Sequence, residues 1–378
     1  MNPRDTALLE RAFAEADKGE WLWTAPNPRV GAIALKNGHV VGFGYHQRFA
    51  EAHAEEAALL DAGAIANGHA QPGAVDEIMV TLEPCSARGG KKKRRPCLEW
   101  ILEAGIKRVV VGAVDPDPRH AGAGLERLRE AGVEVVLAAW QERFEQQNPA
   151  FMQALTKPNR PWVLLKWAAS LDGRTAAPNG VSQWITDSPA RAEVHQLRSL
   201  GHAVMAGKGT IGFDNPRLTA RDQDGQCSPQ VARVLVAAAN QVTAESHLFT
   251  DHTKRIWIEP HGFVLPAWAT ENDFLISVEQ DEKHQLDLAT AVEKLTSDFQ
   301  IGRLLVEGGA RLHGGLLAAG LADALVRYEA PLLLGGGLGA VEGPGVEHPR
   351  QGFPLIAEER CQLGPDLRRA FLISQPTS

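Results

Sequence analysis

A chain of 378 residues is too long for one ordinary hydrophobic core, so two domains are expected. With 44% hydrophobic and 22% charged residues it has the composition of a globular protein in water, and a formal net charge of −7 argues against a general nucleic-acid binder, which carries a basic balance. No apolar run has membrane-spanning length, no stretch reads as a signal peptide, and four cysteines in so long a chain suit metal ligands in a reducing cytoplasm better than a disulfide framework.

In chain order, Leu8, Leu9, Ala12, Phe13 and Ala16 at helical spacing predict a first helix over 5–17, stopped by Gly19. Apolar runs at 30–36 and 39–45, joined by Asn37-Gly38, predict a β-hairpin. Then follow a helix over 55–62, a buried strand over 77–82, a helix over 97–104, a strand over 108–112, a helix over 124–131 and a strand over 133–138. A hairpin followed by βα units is an α/β fold, a sheet flanked by helices. Lys157-Pro158-Asn159-Arg160-Pro161 reads as a connector, after which an apolar strand over 162–169 restarts the pattern. Further strands are expected at 202–206, 232–237, 255–258, 274–278, 303–306 and 324–329, with helices at 188–199, 288–295 and 312–319. The whole chain is thus read as α/β, with domains over 1–147 and 160–378.

The chemistry concentrates first in His53-Ala54-Glu55, Pro84-Cys85 and Cys97. Zinc takes His nitrogen and Cys sulfur, and catalytic sites use three protein ligands so that a fourth position stays open for water. His53, Cys85 and Cys97 meet that count. Glu55, two residues beyond the His, is placed to take a proton from the water and pass protons to a ring nitrogen and a departing amine. An H-x-E followed by Pro-Cys and a second Cys is the pattern of zinc nucleobase deaminases, although their two cysteines are usually separated by only two residues. Between Cys85 and Cys97 lies Ser86-Ala87-Arg88-Gly89-Gly90-Lys91-Lys92-Lys93-Arg94-Arg95-Pro96. This basic run reads as a solvated loop, as a nucleic-acid patch, or, since both its ends are metal ligands, as a partner for a substrate phosphate. The second half lacks a G-x-G-x-x-G opening; Glu307-Gly308-Gly309-Ala310, between a strand and a helix, is either a tight turn or a phosphate-binding one. Gly335-Gly336-Gly337 with Gly339 reads as a flexible surface connection.

Several strings carry a resemblance: Pro26-Asn27-Pro28-Arg29-Val30-Gly31, His53-Ala54-Glu55, Thr81-Leu82-Glu83-Pro84-Cys85-Ser86 and Asp115-Pro116-Asp117-Pro118 in the first half. In the second half they are Lys166-Trp167-Ala168-Ala169-Ser170-Leu171-Asp172-Gly173-Arg174-Thr175, Ser182-Gln183-Trp184-Ile185-Thr186 and Val306-Glu307-Gly308-Gly309. Over nearly its whole length the chain resembles the bifunctional deaminase–reductases of riboflavin biosynthesis. The resemblance implies a cytidine-deaminase-like three-layer domain followed by a dihydrofolate-reductase-like one. It implies Zn2+ and NADPH as cofactors, and a phosphorylated pyrimidine nucleotide as substrate. The first domain would deaminate 2,5-diamino-6-ribosylamino-4(3H)-pyrimidinone 5′-phosphate, and the second would reduce the ribosyl chain of the product to ribityl.

By the same resemblance, Asn27 and the His46 region position the pyrimidine. Ala169, Trp184, Thr210 and Asp214 correspond to NADP contacts, with Gly309, Ala310, Arg311, Leu312, His313, Gly314 and Gly315 as the phosphate turn. Ser182, Arg198, Leu218, Arg221 and Glu307 correspond to substrate contacts; Arg198 and Arg221 can clamp phosphate, and Glu307 can accept from hydroxyls. Trp184 reads equally as a core residue, and Lys166 with Asp172 equally as a structural ion pair. Two departures stand out: the intercysteine loop is longer and more basic than the family's and lacks its His, and Ala237-Ala238-Ala239 replaces polar residues near the cofactor. No membrane or nucleic-acid partner is expected, and family members commonly self-associate, so a homo-oligomer is compatible with the sequence. Weighed against the bifunctional enzyme are a deaminase acting on RNA or a free base, a non-catalytic nucleotide binder, and a zinc deaminase whose second domain has reduced or lost reductase activity.

Overall fold

At the Asn37-Gly38 turn both residues take positive φ, 48° and 80°, the backbone twist that lets two strands return on each other. Strand Gly31–Lys36 accordingly pairs antiparallel with His39–Tyr45. The computed structural model describes residues 1–86, 95–118, 120–221, 226–227 and 231–374, and the chain divides into two units, Met1–Thr156 and Lys157–Ser378.

In the first unit the hairpin sits at one side of a five-stranded sheet in the order His39–Tyr45, Gly31–Lys36, Glu77–Leu82, Arg108–Ala113, Glu134–Leu137. The last three strands run parallel. Helix Pro3–Ala16, capped by the Asn2 side chain, buries the five apolar residues that its spacing selects. Two glycines set how closely helices approach the hairpin. A Cβ on Gly31 would lie 1.9 Å from the Ala12 carbonyl oxygen, and one on Gly44 would lie 2.3 Å from both the Ala54 oxygen and the Ala58 nitrogen. Helix Ala54–Asp61 therefore rests backbone on backbone against strand His39–Tyr45. We expect Gly44→Ala to displace this helix, cost about 1–3 kcal/mol of stability in urea unfolding, and lower the zinc content of purified protein. Unchanged zinc content would mean that the close approach does not set the position of the helix.

The second unit is built on a nine-stranded sheet. Its order is Asp273–Val278, Arg255–Pro260, Ala232–Val236, Ala203–Gly207, Arg303–Glu307, Trp162–Ser170, Ala324–Ala330, Asp366–Ile373, Leu355–Leu363. The first seven strands are parallel and the last two antiparallel. The predicted strands and helices of both units are present, with ends shifted by a few residues. Sequence reasoning missed helices Gln141–Gln147, Pro149–Leu155 and Lys208–Asp214, and the two final strands. Asp366–Ile373 buries Asp366 and Arg368, so its charges mimic a surface segment, and the edge strand Leu355–Leu363 leaves every second residue exposed. A two-stranded ladder joins Arg174–Ala176 to Leu338–Gly339. No helix among the described residues is long and apolar enough to cross a membrane.

Candidate active sites

Each metal-ligating side chain lies where a regular element begins or ends. His53 is the extended residue (φ −74°, ψ 166°) immediately before helix Ala54–Asp61, and Glu55 lies buried in that helix's first turn. The wholly buried strand Glu77–Leu82 delivers Cys85 three residues past its end, and Cys97 opens helix Cys97–Glu103. The three meet: Cys85 Sγ lies 3.6 Å and Cys97 Sγ 3.4 Å from His53 Nδ1, and the three ligand atoms all fall within 4.8 Å of one another. Tetrahedral zinc with Zn–S near 2.3 Å and Zn–N near 2.0–2.1 Å requires N···S separations of about 3.6 Å, so the donor set and its spacing fit zinc. His53 Nδ1 is the ring atom that faces the two sulfurs.

The Cys97 thiol hydrogen-bonds to Cys85, which holds Cys85 far below the ordinary thiol range, at about 3, and raises Cys97. The Cys97 backbone N–H also donates to Cys85 Sγ at 3.3 Å. Burial, reinforced by the negative Cys85, pushes the Glu55 carboxyl up to about 7, a value at which it both takes and gives protons near neutrality.

His46, at the end of the hairpin, is buried rather than solvated. Its Nδ1 lies 2.9 Å from the Ala52 carbonyl oxygen and must carry the proton, which leaves Nε2 to accept from Asn27 Nδ2 at 3.4 Å. That contact orients the Asn27 amide. The His46 ring stands edge-on to His53 at 5.5 Å between centroids.

Sequence reasoning gave Glu83 no role, yet it is buried and accepts from the backbone N–H groups of Asp115, Gly122 and Gly124, pinning that loop beside the Cys85 strand. Its position, a carboxylate at the end of an apolar strand, was the available signal. Of the basic run, Lys91, Lys92, Lys93 and Arg94 lie outside the described residues. Arg95 is committed elsewhere: it pairs with Glu99 and Glu103 and stacks over Trp100, 4.2 Å from the ring centre. Arg95→Ala is therefore expected to change KM for a phosphorylated substrate by less than about twofold, the scale of a partly exposed pair. A tenfold rise would show that Arg95 is a phosphate contact.

In the second unit the resembling residues gather at the C-terminal ends of the parallel strands, where α/β sheets bind ligands. Glu307, last residue of its strand, pairs in register with Lys166. Its buried carboxylate meets Lys166 Nζ at 3.4 Å and Arg198 through both oxygens, one contact at 2.9 Å. Burial raises its pKa, but Arg198 and Lys166 outweigh that and hold it at about 2. Arg198 also donates to the Thr219 carbonyl, and Arg221 Nε to the Thr219 hydroxyl. Thr219 follows Leu218, which is buried at φ 49°. Ser182 donates to Asp214, whose carboxyl burial raises. Thr210 packs on the glycine turn, since a Cβ on Gly308 would lie 2.4 Å from its Oγ1. Ala169 is buried near the end of strand Trp162–Ser170.

Three readings need correction. Trp184 is no core residue: it is 70% exposed, with Arg191 over its ring. Lys166 and Asp172 form no ion pair with each other; Asp172 accepts from Ser170 and from the Leu334 and Gly335 N–H groups. The Gly335–Gly339 segment is consequently pinned rather than loose, with a Cβ on Gly337 only 2.0 Å from the Ala176 oxygen. Within 309–315, Gly309 precedes helix Ala310–Ala318 and Arg311 points outward to Glu342, while Leu312, His313 and Gly314 are buried and Gly315 lies against Leu288. Ala238 and Ala239 both donate backbone N–H groups to buried Glu259.

Comparison with known proteins agrees with this layout. Residues 3–113 match the cytidine and deoxycytidylate deaminase zinc-binding region, and residues 161–367 match the RibD C-terminal domain. The chain is 36% identical over 376 residues to the riboflavin biosynthesis protein RibD of Escherichia coli, covering 96% of this chain and 98% of that one. It is also 36% identical to RibD of Bacillus amyloliquefaciens, over 95% of this chain and 94% of the relative. Among solved structures, Acinetobacter baumannii RibD superposes with a TM-score of 0.70 at 30% identity, covering 98% of this chain and 99% of that one. The Thermotoga maritima diaminohydroxyphosphoribosylaminopyrimidine deaminase/5-amino-6-(5-phosphoribosylamino)uracil reductase gives 0.66 at 29% identity, with the same coverage. With a zinc-type donor set in one half and a RibD reductase domain in the other, the chain belongs to the RibD family, the bifunctional zinc- and NADPH-using deaminase–reductases of riboflavin biosynthesis.

Proposed function

We propose that this protein deaminates 2,5-diamino-6-ribosylamino-4(3H)-pyrimidinone 5′-phosphate in residues 1–147 and reduces the product's ribosyl chain to ribityl in residues 160–378. The observation that carries the first step is the cluster of His53, Cys85 and Cys97 with buried Glu55 beside it. His53, Cys85 and Cys97 would hold zinc, which when bound would supply the polarisation of a water for attack on the ring carbon that bears the amine. Glu55 takes one proton from that water and passes it to the ring nitrogen, then takes the second from the hydroxyl now on the carbon and delivers it to the amine, which leaves as ammonia. Asn27, oriented by His46, presents its amide oxygen to the pyrimidine.

For the reduction, the cofactor carries the hydride and the protein supplies placement and charge. Ala169, Trp184, Thr210 and Asp214, with the 309–315 segment that the Gly308–Gly309 turn opens, take NADPH. Ser182, Leu218 and Arg221 take the phosphorylated substrate, and Glu307, held ionised by Arg198 and Lys166, accepts from sugar hydroxyls. One assay tests both halves: zinc-loaded protein given this substrate and NADPH should release ammonia and then lose absorbance at the NADPH band. No ammonia would refute the first assignment.

A second reading, a deaminase with a weakened reductase half, draws on the Ala238 and Ala239 amides being taken up by the Glu259 carboxylate. Normal ammonia release with no NADPH consumption would favour it.

A further inference from the structure

We infer that His313 is a positioning residue that holds the Gly308–Gly309 turn in its ligand-receiving shape without itself touching the cofactor. The inference rests on the reading of this turn as the NADPH phosphate site. Gly308 and Gly309 sit at φ 103° and 90°, and two adjacent glycines have more conformational freedom than any other pair, so their shape must be imposed from outside. On one side the Thr210 side chain fills the space that a Gly308 side chain would need. The other restraint is the His313 ring, buried in the helix that follows the turn.

The hydrogen bonds of that ring fix its protons. Nδ1 lies 2.9 Å from the Ala340 carbonyl oxygen, a group that only accepts, so Nδ1 carries the hydrogen. The neutral ring then presents a lone pair at Nε2, and the Gly308 N–H donates to it at 3.4 Å. Burial lowers the pKa of the ring, with Lys166 adding to this and the Ala340 and Val306 carbonyls working against it. The far side of the ring is equally well held. The Glu342 N–H donates to the Ala310 oxygen at 2.9 Å, and a Cβ on Gly314 would lie 2.0 Å from the Glu342 oxygen, so segment 340–342 is fixed against the helix. His313 thus transmits a rigid contact to an otherwise free turn. It also takes up the Gly308 N–H, which leaves the groups after it to face a phosphate.

The two ring nitrogens can be separated by substitution. His313→Asn keeps a donor near Nδ1 and loses the acceptor, His313→Gln supplies an acceptor near Nε2, and His313→Phe keeps only the volume. In the full-length, zinc-loaded protein, KM for NADPH is expected to rise about tenfold in the Asn and Phe variants, as for the loss of one partner of a buried N–H, with kcat within about twofold. The Gln variant should recover most of the lost affinity. Urea unfolding of residues 157–378 serves as the control for folding. Wild-type KM in all three variants, a fall confined to kcat, or a Gln variant no better than Phe would each overturn the role. Gly309→Val separates this from the underlying reading. If it raises KM for NADPH while the His313 variants do not, only the role of His313 falls; if it leaves KM unchanged, the phosphate-turn reading itself fails.

Discussion

Glu55→Gln is expected to keep its zinc and lose deamination by about a hundredfold to ten-thousandfold, while NADPH-dependent reduction of supplied deaminated substrate continues. The amide has nearly the size of the carboxyl and fills the same buried place in the first turn of helix Ala54–Asp61. His53, Cys85 and Cys97 are untouched, so the metal content should equal that of wild type. What disappears is the proton relay: an amide does not take a proton near neutrality, and general acid–base groups contribute about 10²–10⁴ to rate. The comparison needs metal analysis and ammonia release on the same preparation. Turnover at the wild-type rate would remove Glu55 from the mechanism; loss of zinc would make its role one of assembly.

The second large effect concerns Glu307→Gln. In wild type one carboxylate balances Arg198 and Lys166, each side chain no more than 16% exposed. Without it, the charge of Arg198 is left uncompensated, because a guanidinium cannot shed its proton. Removing one partner of a buried pair costs about 3–5 kcal/mol, so urea unfolding of residues 157–378 should shift to markedly lower concentration. As the proposed acceptor for sugar hydroxyls, Glu307 should also contribute about 10–100-fold to reductase kcat/KM, the range for a hydrogen bond to a charged group. Ammonia release should stay at the wild-type rate. An unchanged reductase in a destabilised protein would make the triad purely structural, whereas unchanged stability would contradict the pairing.

The two halves were not equally legible in the sequence. For the deaminase site, residue type and spacing sufficed, because zinc accepts few donors and their order along the chain is distinctive. The alternating hairpin around Asn37-Gly38 and the helix carrying Leu8 to Ala16 were legible for the same local reasons. The reductase half was harder. Its Gly308–Gly309 turn has no local signal beyond two glycines, and the pairing of Arg198 with Glu307 spans 109 residues, a separation that no window of sequence contains. Resemblance suggested that Arg198 would hold phosphate, but only the fold shows its guanidinium engaged by Glu307 and the Thr219 carbonyl. For Glu83 the strand-end position was a signal of burial, but its partners are backbone amides, which carry no sequence signature. Helix Lys208–Asp214 escaped because Lys-Gly-Thr-Ile-Gly-Phe-Asp is poor in helix formers.

The contacts between the two cysteines bear on how such an enzyme can change. The Cys97 N–H donates to Cys85 Sγ, and the Leu98 N–H to the Cys85 carbonyl at 3.2 Å, so the segment between them is closed at its base by backbone bonds. Once a loop is clamped in this way, doubling its length costs only about 0.6 kcal/mol of closure entropy. Insertions between the cysteines therefore put little strain on the ligands, whose spacing is set by contacts at the two ends of the segment. Relatives of such an enzyme can vary the length of this segment while His53, Cys85 and Cys97 keep the same arrangement.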